Sequence, residues 1–161
     1  MSSLREQIGK QQPFDDPHEE AYLNIIRTAA IFGGEFKRLF KRHGLGESGY
    51  NVLRMLRAAG DAGKTWTEIC SELVVPAPDA TRIVTRLETA GLATRSRSID
   101  DRRVIRVFIT PAGRSAVDEL EAPIRRLHLA QLGHLSPADL ERLSRALERA
   151  RAPSEEGLRP E

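Results

Sequence analysis

The sequence predicts a mainly α-helical protein that carries one small β-hairpin. Apolar residues recur at helical spacing through most of the 161-residue chain, and only the stretch after Gly91 changes to the two-residue alternation of strands. Glycine and proline separate these segments. The composition, 40% hydrophobic and 30% charged, is that of a globular chain, so we expect one structural unit with a packed core.

Charge, cysteine content and apolar run length indicate whether the protein could bind nucleic acid, be secreted or enter a membrane. A net charge of +2 and a pI near 9.0 permit nucleic-acid binding without requiring it. Cys70 is the single cysteine, so no disulfide forms within the chain, and the charged N-terminus lacks a signal-peptide pattern. Charged residues interrupt every apolar run well before the roughly 18 residues of a membrane span. We therefore expect a cytoplasmic protein with no membrane partner.

The N-terminal part of the chain is predicted to form an arm and two helices. Glycine and prolines among polar residues indicate an irregular arm over residues 1–16. Asp16 then caps a helix that opens at Pro17 and ends at Gly44. A second amphipathic helix follows over residues 47–59.

Two further helices flank a turn. The run Thr65-Trp66-Thr67-Glu68 is a capping box, which opens a short helix over residues 66–73. Two prolines in the next five residues require a turn. Another helix then begins at Pro78 or Asp79 and runs to Ala90, with a clean apolar stripe at i, i+3, i+4 and i+7.

The rest of the chain is predicted to be a hairpin followed by two helices. Strands are expected over residues 92–98 and 103–109. Thr110-Pro111 opens a helix that extends to about residue 132, and Ser136-Pro137 opens a last helix that ends near residue 151. The polar tail, residues 152–161, is expected to be flexible.

A short helix, a turn, a second helix and a hairpin form the winged helix-turn-helix arrangement, whose second helix enters the DNA major groove. Opposite its apolar stripe, this helix carries arginines that suit guanine edges and threonines that suit phosphates or thymine methyls. An ordinary solvated face is the alternative interpretation. The polar residues in question are Pro78, Thr81, Arg82, Thr85, Arg86 and Thr89, with Asp79 either accepting from cytosine or serving the helix N-terminus.

The hairpin adds a second group of arginines, which makes the DNA interpretation more specific. Its tip is expected to reach a minor groove, where arginine favours the negative potential, and Asp101 is placed to pair with a neighbouring arginine. The hairpin arginines are Arg95, Arg97, Arg102, Arg103 and Arg106, the last three around the strand turn.

These residues resemble the multiple antibiotic resistance regulator (MarR) family of winged-helix repressors, over about residues 17–150. The resemblance rests on the series from Thr81 to Leu92 (TRIVTRLETAGL), on Arg95, on Asp101-Arg102-Arg103, and on Ile109-Thr110-Pro111-Ala112-Gly113. Two positions depart from the family pattern. Gly46 replaces a frequent capping threonine, and Asp79 replaces a small hydroxyl residue, which leaves the DNA sequence preference open.

The resemblance implies a dimeric architecture and a role for each segment. Residues 78–90 read the major groove, Arg103 probes the minor groove, and Asp101 buttresses it. A homodimer binds a pseudo-palindromic operator in double-stranded DNA. Leucines of the last two helices agree with a dimer, although an intramolecular core is the alternative. The domain plan is an arm (1–16), a dimerisation helix (17–44), a DNA-binding domain (45–110), dimerisation helices (111–151) and a tail (152–161).

The resemblance also implies release from DNA by a small ligand, often aromatic or phenolic. Four residues offer an aromatic wall and cations for such an anion, although each is also explained as a packing or surface residue: Arg27, Tyr50, Arg54 and Trp66. Cys70 has no histidine near it in sequence, which favours a buried small residue over a reactive thiol.

No pattern in the chain points to catalysis, a cofactor or a metal. The four histidines are dispersed, and neither a phosphate loop nor a nucleophile elbow occurs. The prediction is a sequence-specific DNA-binding transcriptional regulator, a repressor. The alternative is a winged-helix protein-interaction module without DNA contact, which would need no arginines on both the helix and the wing.

Overall fold

The architecture is mainly helical with one small antiparallel sheet, as predicted. The structure is a computed structural model that describes residues 2–74, 80–97 and 104–156. The elements in this part of the chain are α1 (Leu4–Gln7), α2 (Pro17–Arg42), α3 (Glu47–Ala59), a 3-10 turn (Gly60–Ala62), β1 (Lys64–Thr65), α4 (Trp66–Glu72), α5 (Ala80–Thr89), β2 (Ala93–Arg97), β3 (Ile105–Ile109), α6 (Pro111–Leu132) and α7 (Pro137–Glu156).

Side chains cap the helices at the predicted positions. An Asp16 carboxylate oxygen accepts the His18 amide at 2.8 Å, at the start of α2. At α4 the Thr65 hydroxyl accepts the Glu68 amide at 3.3 Å, and the Glu68 carboxylate accepts the Thr65 amide at 2.6 Å. These bonds satisfy amides that have no partner inside the helix. The backbone bond from Thr65 lowers the pKa of Glu68 below its ordinary value.

Three predictions about the elements are wrong. The arm contains α1, where Ser3 and Glu6 form a reciprocal capping box. The tail begins later than residue 152, because α7 continues through Pro153 to Glu156, and a proline in the last turn removes only one helical hydrogen bond. The sheet has a third strand, β1, whose two residues are too short to show an alternating pattern.

The sheet order is β1-β3-β2, with both pairings antiparallel. β2 and β3 pair along their full lengths, from Ala93 opposite Ile109 to Arg97 opposite Ile105. Gly63 precedes β1 at a φ of +59°, and a Cβ there would lie 2.6 Å from the Phe108 ring. Glycine is therefore required where the chain enters the sheet.

The chain divides into two compact units, Met1–Pro123 and Ile124–Glu161, and the expectation of one structural unit is wrong. Among the described residues, those that form the buried core all lie between Leu4 and Leu120, within the first unit. The described part of the second unit, residues 124–156, therefore contributes no residue to the buried core. The described helices include none that is both long and apolar enough to cross a bilayer.

Candidate nucleic-acid interface

Helix α5 has one buried face and one exposed polar face. Ile83, Val84 and Leu87 are almost fully buried, and Leu87 packs against α3 beside Gly49. Arg82, Thr85 and Arg86 are exposed on the opposite side. The helical period in the sequence dictates this division, because burying the apolar residues places the cations in solvent.

Local hydrogen bonds tie the polar side chains of α5 to their own helix. The Arg86 Nε donates to the Arg82 carbonyl at 3.4 Å, and the Thr89 hydroxyl donates to the Thr85 carbonyl at 3.0 Å. These side chains lie along the helix surface with their polar groups outward. The other predicted residues of this face, Pro78, Asp79 and the side chain of Thr81, lie outside the described residues.

Arg95 of β2 joins the hairpin to α5. Its Nη1 lies 3.1 Å from Glu88 Oε2, and its Nη2 donates to the Thr85 hydroxyl at 3.3 Å. Both side chains of the ion pair are largely covered, with 35% of Arg95 and 27% of Glu88 exposed. Sequence reasoning grouped Arg95 with the other hairpin arginines and missed Glu88, although the two charges flank the tight turn at Gly91.

Arg106 is a second hairpin arginine with an intramolecular partner. Its Nη1 donates to the carbonyls of Ala62 and Gly63 at 3.0 and 3.2 Å, and it lies 3.7 Å from Glu68 Oε2. Sequence reasoning placed Arg106 around the strand turn, whereas these bonds hold it against the chain that leads into β1 and α4. Arg97 is exposed, whereas Asp101, Arg102 and Arg103 lie outside the described residues.

A hydrogen-bonded joint connects the end of α5 to the start of α6. The Thr110 hydroxyl donates to the Gly91 carbonyl at 2.7 Å and accepts the Gly113 amide at 3.1 Å. The Thr110 amide also donates to the Leu92 carbonyl at 3.1 Å. Helix α5 is thus held at its C-terminal end by the first turn of α6.

Of the four predicted ligand residues, the structure brings Tyr50 and Arg54 together. Tyr50 is 4% exposed and its ring centroid lies 5.2 Å from that of Phe40, while the Arg54 guanidinium lies 5.9 Å from the Tyr50 ring. Burial raises the pKa of the Tyr50 phenol above its ordinary value. Arg27 instead donates to Gln7 at 2.9 Å, and Trp66 is half-buried at the start of α4.

A cavity of about 290 Å³ lies between the N-terminal end of α3 and the middle of α5, and sequence reasoning did not find it. It depends on how α3 packs against α5, which no local pattern reveals. Arg86 is the cation in its wall. The lining residues are Gly44 to Gly49 on one side and Ile83, Arg86, Leu87 and Ala90 on the other, so it includes none of the four predicted ligand residues.

Cys70 is exposed on α4, so the prediction of a buried cysteine is wrong. The neighbouring Ile69 takes the buried position, and one residue further along a helix points about 100° away. Among the described residues, no group of three or more histidine, cysteine or acidic side chains is placed to hold a metal ion.

A family model, a related sequence and two similar structures all come from DNA-binding regulators. The sequence model of the MarR family matches residues 43–104. The HTH-type transcriptional repressor IacR of Pseudomonas putida is 30% identical over 77% of this chain and 73% of its own length. A MarR transcription factor from Planctomyces limnophilus is 36% identical, with a TM-score of 0.64 over 84% of this chain and 98% of that one. Bordetella bronchiseptica BpsR, whose DNA binding is regulated by 6-hydroxynicotinic acid, has a TM-score of 0.68 at 20% identity, over 88% of this chain and 99% of its own.

Proposed function

Because the chain belongs to the MarR family of transcriptional regulators, we propose that it is a repressor that binds its operator through α5 and the hairpin. It is a DNA-binding protein and not an enzyme. Helix α5 enters the major groove, and the hairpin tip with Asp101, Arg102 and Arg103 contacts the adjacent minor groove. Binding to chromosomal DNA places the protein in the cytoplasm.

The observation that carries this proposal is the exposed pair Arg82 and Arg86 on a helix whose other face is buried. Arginine forms bidentate hydrogen bonds with guanine O6 and N7, and it also neutralises phosphates. The Arg95–Glu88 ion pair and the Thr110 joint hold the helix and the hairpin in one orientation. Because α5 is held rigidly, less conformational entropy is lost when the protein binds DNA.

The operator is proposed to be a pseudo-palindrome bound by a homodimer. Two copies related by a two-fold axis place two α5 helices in successive major grooves of one DNA face. Exposed isoleucines on α2 and exposed leucines on α7 supply apolar surface for such a dimer, namely Ile25, Ile26, Ile31, Leu143 and Leu147.

The effector is proposed to be a small organic anion, of the kind that regulates BpsR. Two places in the described structure suit it. One is the pair of Tyr50 and Arg54, which combines an aromatic ring with a cation. The cavity beside Arg86 offers a second place, and a carboxylate bound there would compete with DNA for the same guanidinium.

The DNA-binding proposal is tested with duplexes selected in vitro from a random pool and with the DNA upstream of the gene. Fluorescence anisotropy at two salt concentrations compares the wild type with the Arg86→Gln/Arg103→Gln variant and with Arg125→Gln/Arg126→Gln. The two variants lose the same charge, but only the first alters the proposed interface. Tight, salt-sensitive binding that the first variant loses and the second keeps supports the proposal.

A wild type that enriches no sequence and binds only weakly contradicts a repressor function. In that case the interaction-module alternative gains weight, since a protein partner would tolerate loss of Arg86 and Arg103. The effector proposal has its own measurement, the displacement of bound DNA by hydroxylated benzoates and pyridine carboxylates. Arg54→Gln should raise the concentration needed for release without weakening DNA binding in the absence of ligand.

A further inference from the structure

The last two turns of α2 carry four exposed cations, Lys37, Arg38, Lys41 and Arg42, which we call the α2 basic cluster. The pairs Lys37 with Lys41 and Arg38 with Arg42 are each four residues apart, so they form two adjacent rows on one side of the helix. The opposite side faces the interior, where Phe40 is 3% exposed and stacks on Phe36. Because Phe40 is buried, the cluster on the other side of the helix lies in solvent.

The cluster is followed in the chain by the segment that packs beside α5. One residue separates Arg42 from the segment Gly44 to Gly49, which forms one wall of the cavity whose other wall contains Arg86. Gly49 also approaches Leu87 of α5, where an added Cβ would lie 3.5 Å from the leucine side chain. Arg42, at the end of the cluster, is therefore two residues from the cavity wall that faces Arg86.

The cations of the cluster have few carboxylates near them in the described structure. Among the described pairs of the cluster, Arg38 Nη2 lies 3.9 Å from Glu35 Oε1, which is a long contact between exposed groups. Glu47 is the carboxylate in the cavity wall. The four cations of the cluster, together with Arg86 in the cavity wall, thus outnumber these two carboxylates. Exposed ion pairs of this kind neutralise little of the attraction for a phosphate.

We propose that the α2 basic cluster binds the DNA backbone next to the segment read by α5 and thereby extends the footprint of the protein. The partner is duplex DNA, recognised through phosphates and without base readout. This inference rests on the proposed DNA binding and adds a contact surface that lies outside the helix-turn-helix and the hairpin. A solvated helix end that complements the helix dipole is the ordinary alternative.

The test uses full-length protein and two duplexes that contain the same selected operator, one trimmed to its ends and one extended by about one helical turn, roughly 10 base pairs, on each side. Lys37→Gln/Lys41→Gln and Arg38→Gln/Arg42→Gln are compared with Arg125→Gln/Arg126→Gln, which removes two positive charges elsewhere. Kd is measured at several salt concentrations. Hydroxyl-radical footprinting maps the protected backbone on the extended duplex.

At least one cluster variant should bind the extended duplex about tenfold more weakly and lower the salt slope by roughly 0.9 for each lost phosphate contact. Its footprint should shorten at the outer edges, while the trimmed duplex and the control variant show little change. Wild-type affinity and footprint in both cluster variants would overturn the inference, as would equal loss on both duplexes. Failure of the wild type to bind either duplex would instead reject the proposed function.

Discussion

Individual arginines on the proposed DNA-binding side of the protein have two kinds of surroundings. Arg86 is exposed along α5, with its Nε donating to a carbonyl of its own helix, whereas Arg95 pairs with a carboxylate and Arg106 donates to backbone carbonyls of another segment. A guanidinium that already has an anionic partner releases fewer counterions when a phosphate approaches. The two groups should therefore affect DNA binding through different mechanisms, one by direct contact and one by positioning.

Replacement of Arg95 by methionine should weaken operator binding by about tenfold without changing its salt dependence, because Arg95 positions the hairpin and does not contact phosphate. Arg86→Met should instead lower the salt slope by about 1. Anisotropy titrations at four salt concentrations separate the two effects. Combining Glu88→Gln with Arg95→Met should cost no more than Arg95→Met alone, since both act through one ion pair. An equal fall in slope for Arg95→Met and Arg86→Met would make Arg95 a DNA contact.

Gly46 is a position at which a substitution is expected to stabilise the protein. It occupies the N-cap of α3 with φ −98° and ψ 159°, and no side chain caps the helix. A Cβ at this position meets nothing within 4 Å. Gly46→Ser should therefore raise the free energy of unfolding by roughly 0.5 kcal/mol, while Gly46→Ala should lower it slightly. Urea midpoints at one protomer concentration measure both, and a gain with alanine equal to that with serine would exclude capping as the cause.

Among the elements, those predicted well from the sequence are the ones with strong local signals. The bounds of α3 were predicted at both ends, and α2 and α6 matched closely, because an apolar period and a cap define each of them. β1 was missed because pairing with β3 creates it, and two residues carry no period. The exposure of Arg86 could be predicted from the helical spacing of the apolar residues in α5. The Glu88–Arg95 ion pair could not, because it depends on the turn at Gly91 and on tertiary packing.

The joint between α5 and α6 is the element contact most sensitive to a small change. A Cβ at Gly113 would lie 2.1 Å from the Leu92 carbonyl oxygen and 2.8 Å from Ile109 Cγ1. Neither neighbour moves freely, since one is backbone and the other is buried. Gly113→Ala should therefore destabilise the protein by about 3 kcal/mol, within the range for overpacked sites.

Thermal unfolding followed by circular dichroism measures the effect of Gly113→Ala. Ala112→Ser is the matched control, because Ala112 is exposed in the same turn, and it should change stability by no more than about 0.5 kcal/mol. DNA binding by Gly113→Ala, measured below its melting temperature, should also weaken, because the joint sets the orientation of α5. A stability equal to that of the control would mean that α6 shifts away from Leu92 at no cost.

At the scale of the whole molecule, the buried core residues are distributed unevenly between the two units. Every core residue among those described lies in the first unit, up to Leu120. In the second unit, Leu129, Leu143 and Leu147 are between 37% and 60% exposed. In proteins most of the stability of a helix comes from the packing of its apolar face against another surface. The second unit therefore needs a partner surface, and a second copy of the chain supplies one in the proposed homodimer.

Leu143→Glu/Leu147→Glu should convert the homodimer to a monomer, because two carboxylates four residues apart would be buried without counterions in the interface. The matched control, Arg145→Gln/Arg149→Gln, changes the net charge of α7 by the same amount on its polar side. Sedimentation velocity should show a monomer for the first variant and a dimer for the second. The monomer should bind the operator more than 100-fold more weakly, since a single α5 loses the gain of linked half-sites. If the leucine variant remains dimeric, the interface lies elsewhere, on the exposed isoleucines of α2. If it is a monomer that binds the operator with undiminished affinity, the proposal of a pseudo-palindromic operator is contradicted.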